Sequence, residues 1–208
     1  MNPHDKPEGA RLGWQVLETT YPFATPWLKL RQDRVRIADK DDITYTYIQG
    51  NAAVFVVPVT ADGRVVLIRQ YRYTVDTWCL EVPAGGTHDR EGVSLEDVAR
   101  EELAEEIGGT CAAIERVADF YPSTSRSAEA CHVFLATGVT LDRPQSLQET
   151  ERIEVHPVPA REALAMARTG RIPDGQSALA LLLCEESLRR YSDVFSGPTF
   201  PAIPPLRP

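Results

Sequence analysis

The stretch Ala99-Arg-Glu-Glu-Leu-Ala-Glu-Glu-Ile-Gly108 brings four glutamates together, at Glu101, Glu102, Glu105 and Glu106. At about 100° per residue of an α-helix, their carboxylates fall within an arc of roughly 140° on one face. Like charges four residues apart repel each other and destabilise a helix unless a cation neutralises them. Carboxylate oxygens at this spacing suit Mg²⁺ or Mn²⁺. The stretch therefore predicts a helix that carries a divalent-metal site.

Signals on both sides of this stretch set the ends of the predicted helix. Ser94-Leu-Glu-Asp97 is a capping sequence, with a serine N-cap and a carboxylate three residues later. The helix should run to about Ile107 and stop at Gly108-Gly109, because glycine favours the left-handed conformation that ends helices. Just upstream, Glu81-Val-Pro-Ala-Gly-Gly86 is rich in turn-forming residues. A bend is therefore predicted before the acidic helix.

Short strands separated by turn-forming residues occupy much of the chain before this bend. The almost unbroken apolar run Asn51–Val59 predicts a strand buried on both faces. Asp62-Gly63 predicts a hairpin turn into a strand at Arg64–Gln70. Residues 1–12 are predicted to be a loose polar lead-in. The other strands predicted here are Gln15–Thr19, Leu28–Arg31, Arg34–Ala38, Thr44–Gln49 and Trp78–Val82.

Strands are followed by helices after the acidic helix, and the order predicts the fold class. It predicts an α+β fold, an α/β/α sandwich in which a mixed β-sheet lies between helices and antiparallel strands form an N-terminal extension. The predicted boundaries are residues 1–49 for this extension, 50–195 for the main domain and 196–208 for a proline-rich tail. The later strands are predicted at Ala112–Asp119, Cys131–Ala136 and Ile153–Val158, and helices at 160–169 and 176–191.

The composition limits the classes of partner and the compartment. A chain of 208 residues is long enough for one domain with a modest appendage. Its net charge of −8 argues against broad electrostatic binding of nucleic acid or anionic lipid. The apolar runs Ala52–Val59 and Ala178–Cys184 are too short to span a bilayer. The four cysteines form no C-x-x-C pair and no export signal opens the sequence, so we expect a cytoplasmic protein with reduced thiols.

Together these features resemble the Nudix hydrolases, whose box is G-x5-E-x7-R-E-U-x-E-E-x-G-U, with U a bulky aliphatic residue. Gly85 and Glu91 fit the opening of the box, and Glu102-Leu-Ala-Glu-Glu-Ile-Gly108 fits E-U-x-E-E-x-G. A second set of segments is similar to the ADP-ribose pyrophosphatase branch of the family. These segments are Val56–Gly63, Leu67–Arg72 and Glu81–Gly85, and the likeness extends from about Trp14 to Leu183.

The chain departs from the family box in and around the helix. Glu101 stands where the box has arginine, and Arg100 lies one position too early to replace it, because one residue turns the helix by about 100°. Nine residues rather than seven separate Glu91 from position 101, and Gly109 replaces the usual aliphatic residue. In the family the arginine buttresses the metal-binding carboxylates. Its replacement predicts either stronger metal binding or a misoriented Glu102 and slower turnover.

The resemblance implies a metal site and a reaction. Family members hydrolyse a nucleoside diphosphate linked to another moiety, with water attacking phosphorus while divalent ions hold the diphosphate oxygens. Carried over by position, Glu102 and Glu106 would bind Mg²⁺ or Mn²⁺ directly. Glu105 would be a further ligand or an activator of water, and the backbone carbonyl of Ala84 would complete the shell. Glu81 would hold a second metal or fix the bend.

The resemblance also implies a general base and substrate contacts. In related ADP-ribose enzymes a loop carboxylate beyond the box is the base, and Glu129 is the candidate here, with Glu151 the weaker alternative. Arg69 and Arg72 would balance the phosphates of the substrate, unless they are ordinary exposed arginines at a strand end. Trp27 would clamp adenine, with core packing as the alternative.

The implied activity is Mg²⁺-dependent hydrolysis of ADP-ribose or a related nucleoside diphosphate sugar, giving AMP and ribose 5-phosphate from ADP-ribose. One alternative is a pyrophosphatase for another nucleotide sugar. The other is a Nudix-fold protein that binds a nucleotide without hydrolysing it, which the Glu101 substitution would allow. The N-terminal strands are hard to bury on a single small domain, so we expect a homodimer that exchanges them.

Overall fold

The computed structural model describes residues 6–26, 28–38, 40–87 and 92–191. Trp27, Glu91 and the predicted tail at 196–208 lie outside the described residues. By its internal contacts the chain divides into two compact units. The first unit joins Met1–Asn51 to Tyr121–Glu129, and the second unit joins Ala52–Phe120 to Ala130–Pro208.

The first unit contains an antiparallel sheet whose strands follow the chain order. They are β1 (Trp14–Ala24), β2 (Lys29–Ile37) and β3 (Ile43–Gln49), and a short helix α1 (Pro7–Arg11) precedes them. The prediction of a loose lead-in is wrong for α1. Its first residue, Pro7, has the fixed φ angle that favours the first position of a helix.

Strand β2 is continuous where two strands are predicted, at Leu28–Arg31 and Arg34–Ala38. The strand continues because Asp33, in the predicted gap, is buried together with Arg31. Arg31 Nε donates to Asp33 Oδ1 over 2.9 Å, and Thr19 Oγ1 donates to the same oxygen over 2.6 Å. A buried carboxylate with these partners needs no exposed turn. Polar residues such as Asp33 are therefore not sufficient to predict that a strand ends.

The second unit is built on a mixed sheet. Its strands are β4 (Ala53–Thr60), β5 (Arg64–Arg72), β6 (Thr77–Glu81), β7 (Ala84–Gly86), β8 (Gly109–Thr110), β9 (Ala113–Phe120), β10 (Cys131–Leu141) and β11 (Ile153–Pro159). The main path runs β11-β5-β4-β10-β8, while β6 pairs with β5, β7 with β4 and β9 with β10. β4 and β10 are parallel, and β11 is antiparallel to β5.

Strand β4 is buried on both faces, as predicted, and its alternate residues enter two different cores. Val54 and Val56 pack with the acidic helix α2 (Leu95–Ile107). Phe55 and Val57 pack on the opposite face. That face is covered by α3 (Ala160–Arg168), α4 (Gly175–Leu183) and α5 (Glu185–Arg189). A mixed sheet between helices confirms the predicted α+β class.

Local sequence signals fix the ends of α2 as predicted. The Ser94 side chain accepts a hydrogen bond from the Asp97 N–H over 3.1 Å at the N-terminus. Gly108 ends the helix with a φ of +62°, and its N–H donates to the Ala104 carbonyl. The hairpin turn before β5 is also confirmed, with Gly63 at a φ of +80°. These positive φ values are the conformations that glycine adopts without strain.

Two features of the second unit differ from the prediction. The helix predicted at 176–191 is divided into α4 and α5 at Cys184. The short strands β7 and β8 were not predicted, because their glycines are typical of turns. Within the described parts of the chain, no helix is long and apolar enough to cross a membrane.

Candidate active site

The four clustered glutamates of α2, at positions 101, 102, 105 and 106, differ sharply in exposure. Glu102 is 7% exposed and Glu106 is 3% exposed. Glu105 is half-buried and Glu101 is exposed. Carboxylates are rarely buried to this extent unless they are paired or bind a metal. The Glu102–Glu106 pair is therefore the part of the helix where a cation would be most strongly favoured.

The bend between β6 and β7 is fixed against this helix by backbone hydrogen bonds. The Ala84 N–H donates to Glu106 Oε2 over 2.9 Å. On the other side of the bend, the Val82 N–H donates to the Ser177 Oγ of α4 over 3.1 Å. The Pro83 carbonyl accepts from a β4 N–H over 2.8 Å. The bend is thus held by the central strand and by helices on both sides of the sheet.

The electrostatics of Glu106 favour an added positive charge. Burial raises the pKa of Glu106 well above its ordinary value, and the charges of Glu102 and Glu151 raise it further. The Ala84 N–H and the charge of Arg72 oppose this shift without cancelling it. A divalent cation would offset the excess negative charge and favour the ionised form of Glu106.

Gly85 explains how the carboxylate of Glu102 comes so close to the bend. A Cβ added at Gly85 would lie 2.1 Å from Glu102 Oε1. The Glu102 carboxylate thus occupies the space that a side chain at position 85 would need, directly against the backbone of β7. The glycine of the box leaves room for this contact.

Gly85→Ala is expected to lower kcat/KM by roughly 10- to 100-fold with little change in thermal midpoint. The added methyl group would displace the flexible end of Glu102 and so move a predicted metal ligand. Steady-state kinetics and differential scanning fluorimetry measure the two quantities. Gly175→Ala is the matched control, because its added Cβ meets nothing within 4 Å. Equal activity of both variants would contradict the packing argument.

The donor set fits a hydrated divalent ion. Among the residues that the structure describes, no group of three or more Asp, Glu, His or Cys side chains is already arranged to hold a metal. Glu102 and Glu106 supply two buried carboxylates beside the bend at Ala84 and Gly85. Mg²⁺ is commonly held by one or two carboxylates while it keeps several waters. The residues present match that mode of binding.

Arg72 and Glu81 form a bidentate ion pair beside the site. Arg72 Nε donates to Glu81 Oε1 over 2.8 Å, and Arg72 Nη2 pairs with the second carboxylate oxygen. Glu81 is 3% exposed, whereas the Arg72 side chain is 43% exposed. The arginine thus neutralises a buried carboxylate and keeps one edge towards solvent. This pairing favours the bend-fixing role of Glu81 over a second metal site.

Arg69 lies on the other face of β5 from Arg72, because successive strand residues alternate. It shares its face with Leu67, which packs under α3–α5. Arg69 Nη1 donates to Glu154 Oε2 over 2.9 Å, and the guanidinium lies 4.7 Å from the centre of the Trp78 ring. The structure therefore separates the two arginines that were predicted to act together.

Arg100 is directed away from the position of the family's arginine. It forms an ion pair with Glu96 over 2.9 Å, and its Nη1 lies 3.3 Å from Cys111 Sγ. This placement agrees with the offset of one residue along the helix. Glu101 is exposed on α2.

The two candidate bases fall in different units. Glu151 lies in the second unit, where its charge acts on Glu106. Its Oε2 accepts the Gln148 N–H over 2.7 Å, which fixes the loop before β11. Glu129 belongs to the first unit, where it packs against Gly50 and burial raises its pKa. Within the second unit, Glu151 is the loop carboxylate brought near the buried pair.

Two supporting residues were not predicted. Ser177 is fully buried and reaches the bend from α4. Gln145 Nε2 donates to the Glu106 carbonyl over 2.5 Å, which satisfies a carbonyl in the last turn of α2. Asp174-Gly-Gln-Ser177 has a capping pattern, and Asp174 does cap α4. That pattern predicts the start of a helix, but it does not predict that Ser177 contacts the bend.

Ser177→Ala is expected to reduce the free energy of unfolding by about 1–3 kcal/mol. The reason is that the fully buried Val82 N–H would lose its acceptor. Urea denaturation measures the loss. Ser187→Ala, on a half-buried serine of α5, is the control and should change stability by less than about 0.5 kcal/mol. Equal losses would show that the hydrogen bond to the bend is unimportant.

The first unit contains a cavity of about 570 Å³. The rings of Trp14, Tyr45 and Tyr47 line it, with Trp14 and Tyr45 5.7 Å apart between centroids. The volume is within the range of small-molecule sites. Trp27, the predicted adenine clamp, lies outside the described residues. The sequence analysis did not predict this aromatic-lined cavity.

Comparisons with known proteins agree with this geometry. The model of the NUDIX domain family matches residues 50–179. An ADP-ribose pyrophosphatase of Bacillus subtilis (strain 168) is 32% identical over 130 residues, which cover 62% of this chain and 69% of the relative. A GDP-mannose pyrophosphatase of Pectobacterium atrosepticum is 32% identical over 152 residues, which cover 67% of this chain and 75% of the relative.

The fold has a counterpart among solved structures. The crystal structure of an ADP compounds hydrolase superposes with a TM-score of 0.74 at 18% identity, covering 85% of this chain and 95% of that one. The family match spans the bend, α2 and the flanking strands, which is more than half of the chain. The resemblance is therefore confirmed: the chain belongs to the NUDIX family and is a Nudix hydrolase.

Proposed function

We propose that this hydrolase cleaves the diphosphate of ADP-ribose or a related nucleoside diphosphate sugar with Mg²⁺. From ADP-ribose the products are AMP and ribose 5-phosphate. The observation that carries the proposal is the pair Glu102 and Glu106, buried side by side against the bend at Ala84 and Gly85. The names of the Bacillus and Pectobacterium relatives support a nucleotide-sugar substrate.

Each residue near the pair has a role in the proposed reaction. Glu102 and Glu106 would hold the divalent ion, with Glu105 and the Ala84 carbonyl as further oxygen donors. When bound, the ion supplies positive charge to the diphosphate oxygens. The exposed edge of Arg72 is available to a phosphate oxygen without releasing the carboxylate of Glu81.

A loop carboxylate accepts the proton of the attacking water as the new P–O bond forms and the anhydride P–O bond breaks. We assign this role to Glu151, because its charge already acts on Glu106. Glu129 is the alternative base, and burial raises the pKa of its carboxyl group.

The proposal is tested by turnover of a substrate panel. Purified protein with Mg²⁺ is given ADP-ribose, GDP-mannose and other nucleoside diphosphate sugars, and products are identified by ³¹P NMR. We expect AMP and ribose 5-phosphate from ADP-ribose, with turnover lost in EDTA and restored by added Mg²⁺. Turnover that persists in EDTA would overturn the metal dependence. The ratios of kcat/KM identify the preferred sugar. A higher kcat/KM for GDP-mannose than for ADP-ribose would favour the activity named for the Pectobacterium relative.

A protein that binds nucleotides without hydrolysing them is the second candidate function. The observation that favours it is Glu101, which stands where the family box has arginine. Isothermal titration with each panel member separates the two functions. Measurable binding without turnover in Mg²⁺ or Mn²⁺ would support the ligand-binding function.

The first unit has a proposed role in assembly and in binding the base. The aromatic lining of its cavity suits a flat heterocycle such as adenine. We also propose a homodimer that exchanges the N-terminal strands, since these form a sheet separate from the main one. Light scattering coupled to size exclusion tests the assembly, and a monomeric mass at micromolar concentration would exclude it.

A further inference from the structure

The cavity of the first unit is complete within that unit. Its volume is about 570 Å³, and the residues that line it all belong to the first unit. Trp14 and Tyr45 form an aromatic wall, with ring centroids 5.7 Å apart and ring planes inclined at 45°. Such a wall packs well on a flat ring. The cavity can therefore bind a ligand without the candidate metal ligands, which lie in the second unit.

A buried carboxylate lies in the wall of this cavity. Asp33 is 2% exposed and lines the cavity. Burial disfavours its charged form, but hydrogen bonds from Arg31 and Thr19 outweigh the burial and lower the pKa of Asp33. The carboxylate is therefore ionised at neutral pH, and an ionised carboxylate can only accept hydrogen bonds. A ligand that meets it must bring a donor.

The two oxygens of this carboxylate differ in how firmly they are held. Oδ1 accepts from Arg31 Nε over 2.9 Å and from Thr19 Oγ1 over 2.6 Å. Oδ2 accepts from the Tyr47 hydroxyl over 3.4 Å, which is longer than an ordinary O–H···O hydrogen bond. Tyr47 also lines the cavity. Oδ2 therefore has capacity for a shorter hydrogen bond from a ligand N–H group.

Another wall of the cavity is formed by a loop that ends at Glu129. Residues 124–128 of this loop line the cavity. Strand β3 holds the loop, because the Ile48 N–H donates to the Arg126 carbonyl over 2.8 Å. The Glu129 N–H donates to Ser127 Oγ over 3.1 Å. A ligand in the cavity would thus contact the segment that fixes the backbone of Glu129.

We propose that this cavity binds a planar heterocycle that carries an amino group. The ring packs on Trp14 and Tyr45, and the amino group donates to Asp33 Oδ2. Occupation of the cavity fixes the loop that ends at Glu129. The nucleobase of a nucleotide sugar and a free nucleoside share this chemistry. The meaning of the loop for catalysis rests on the proposed function, in which Glu129 is the alternative base, whereas the heterocycle site stands without it.

Adenosine and purine riboside test the acceptor, because the two nucleosides differ only in the 6-amino group. Isothermal titration in EDTA keeps metal out of the measurement. The dissociation constant of purine riboside should be roughly 5- to 50-fold higher than that of adenosine, because its ring brings no N–H donor to Asp33.

Tyr45→Ala tests the aromatic wall in the same titration. The variant should bind adenosine roughly 5- to 50-fold more weakly than the wild type, because a stacking surface is lost. Tyr21→Ala is the matched control, since Tyr21 is a similarly exposed tyrosine of the same sheet and its hydroxyl contacts Gln49. This control should bind adenosine as the wild type does.

Limited digestion with trypsin tests the loop. Arg126 is exposed, so the bond that follows it is a site for trypsin. Saturating adenosine should slow cleavage there roughly 5- to 20-fold, because cleavage follows the population of open loop conformations. Cleavage after Arg152, an exposed residue of the second unit, is the internal control and should not change.

Steady-state kinetics distinguishes the two sources of the heterocycle. Adenosine that competes with ADP-ribose identifies the nucleobase of the substrate as the occupant. Adenosine that changes kcat without competing identifies a free nucleoside as the occupant.

The inference is overturned if adenosine does not bind at millimolar concentration, or if the two nucleosides bind within about twofold of each other. Equal rates of cleavage after Arg126 with and without adenosine would overturn the link to the loop. These results are separate from failure of the proposed function, which is the absence of nucleotide-sugar turnover. A protein that turned over ADP-ribose but bound no adenosine would keep the function and refute the inference.

Discussion

Glu106→Gln is expected to lower turnover by about 1,000-fold or more while it raises the thermal midpoint of the metal-free protein. Loss of a proposed carboxylate ligand is expected to remove several kcal/mol of transition-state stabilisation, and each 1.36 kcal/mol is a factor of about ten. The glutamine oxygen can still accept the Ala84 N–H, so the bend keeps its contact with α2. The same substitution therefore separates catalysis from folding.

The rise in stability follows from the raised pKa of Glu106. A carboxyl group with a raised pKa in the folded state stabilises the protein fully below its unfolded pKa of about 4.3. This stabilisation is lost as the pH rises through the folded pKa. At neutral pH the metal-free wild type therefore bears the cost of a buried carboxylate. Glu106→Gln lacks that cost and should melt roughly 2–8 °C higher.

Melting curves in EDTA from pH 4 to pH 8 measure this difference. The gap between variant and wild type should widen as the pH rises and narrow when Mg²⁺ is added, because the proposed metal would stabilise the wild type more than the variant. Glu115→Gln, on an exposed glutamate of β9, is the control. A variant that melts below the wild type at pH 8 in EDTA would contradict the account of Glu106.

Helix α2 could be predicted from sequence because its signals are local. A capping serine, a terminal glycine and four acidic residues on one face all lie within one short segment. Strand β4 could be predicted for the same reason, since its apolar run is uninterrupted. The fold class followed from the order of these elements. The family box added the proposed metal ligands because its spacing is specific.

The supporting contacts could not be predicted because they join distant parts of the chain. Ser177 lies 95 residues from Val82, and Gln145 lies 39 residues from Glu106. A sequence gives the identity of each residue but not the distance between two residues on different strands or helices. Strand β7 was missed for a related reason, because its Ala-Gly-Gly sequence is typical of a turn. It becomes a strand only through its pairing with β4.

Arg72→Met is expected to reduce the free energy of unfolding by about 2–4 kcal/mol. The substitution leaves the Glu81 carboxylate, which is 3% exposed, without its bidentate partner. Breaking a buried ion pair costs about 3–5 kcal/mol, and the partial exposure of Arg72 reduces this estimate. It also removes a positive charge that acts on Glu106. Urea denaturation in EDTA measures the loss.

Arg69→Met is the matched control, because Arg69 comes from the same strand and its partner, Glu154, is 50% exposed. Exposed ion pairs contribute about 0–1 kcal/mol, so this variant should lose little stability. Adding Glu81→Gln to Arg72→Met should recover much of the loss, because no buried charge then remains unpaired. Equal losses for the two arginine variants, or no recovery in the double variant, would show that solvent already screens Glu81. The bend would then be held by its backbone hydrogen bonds alone.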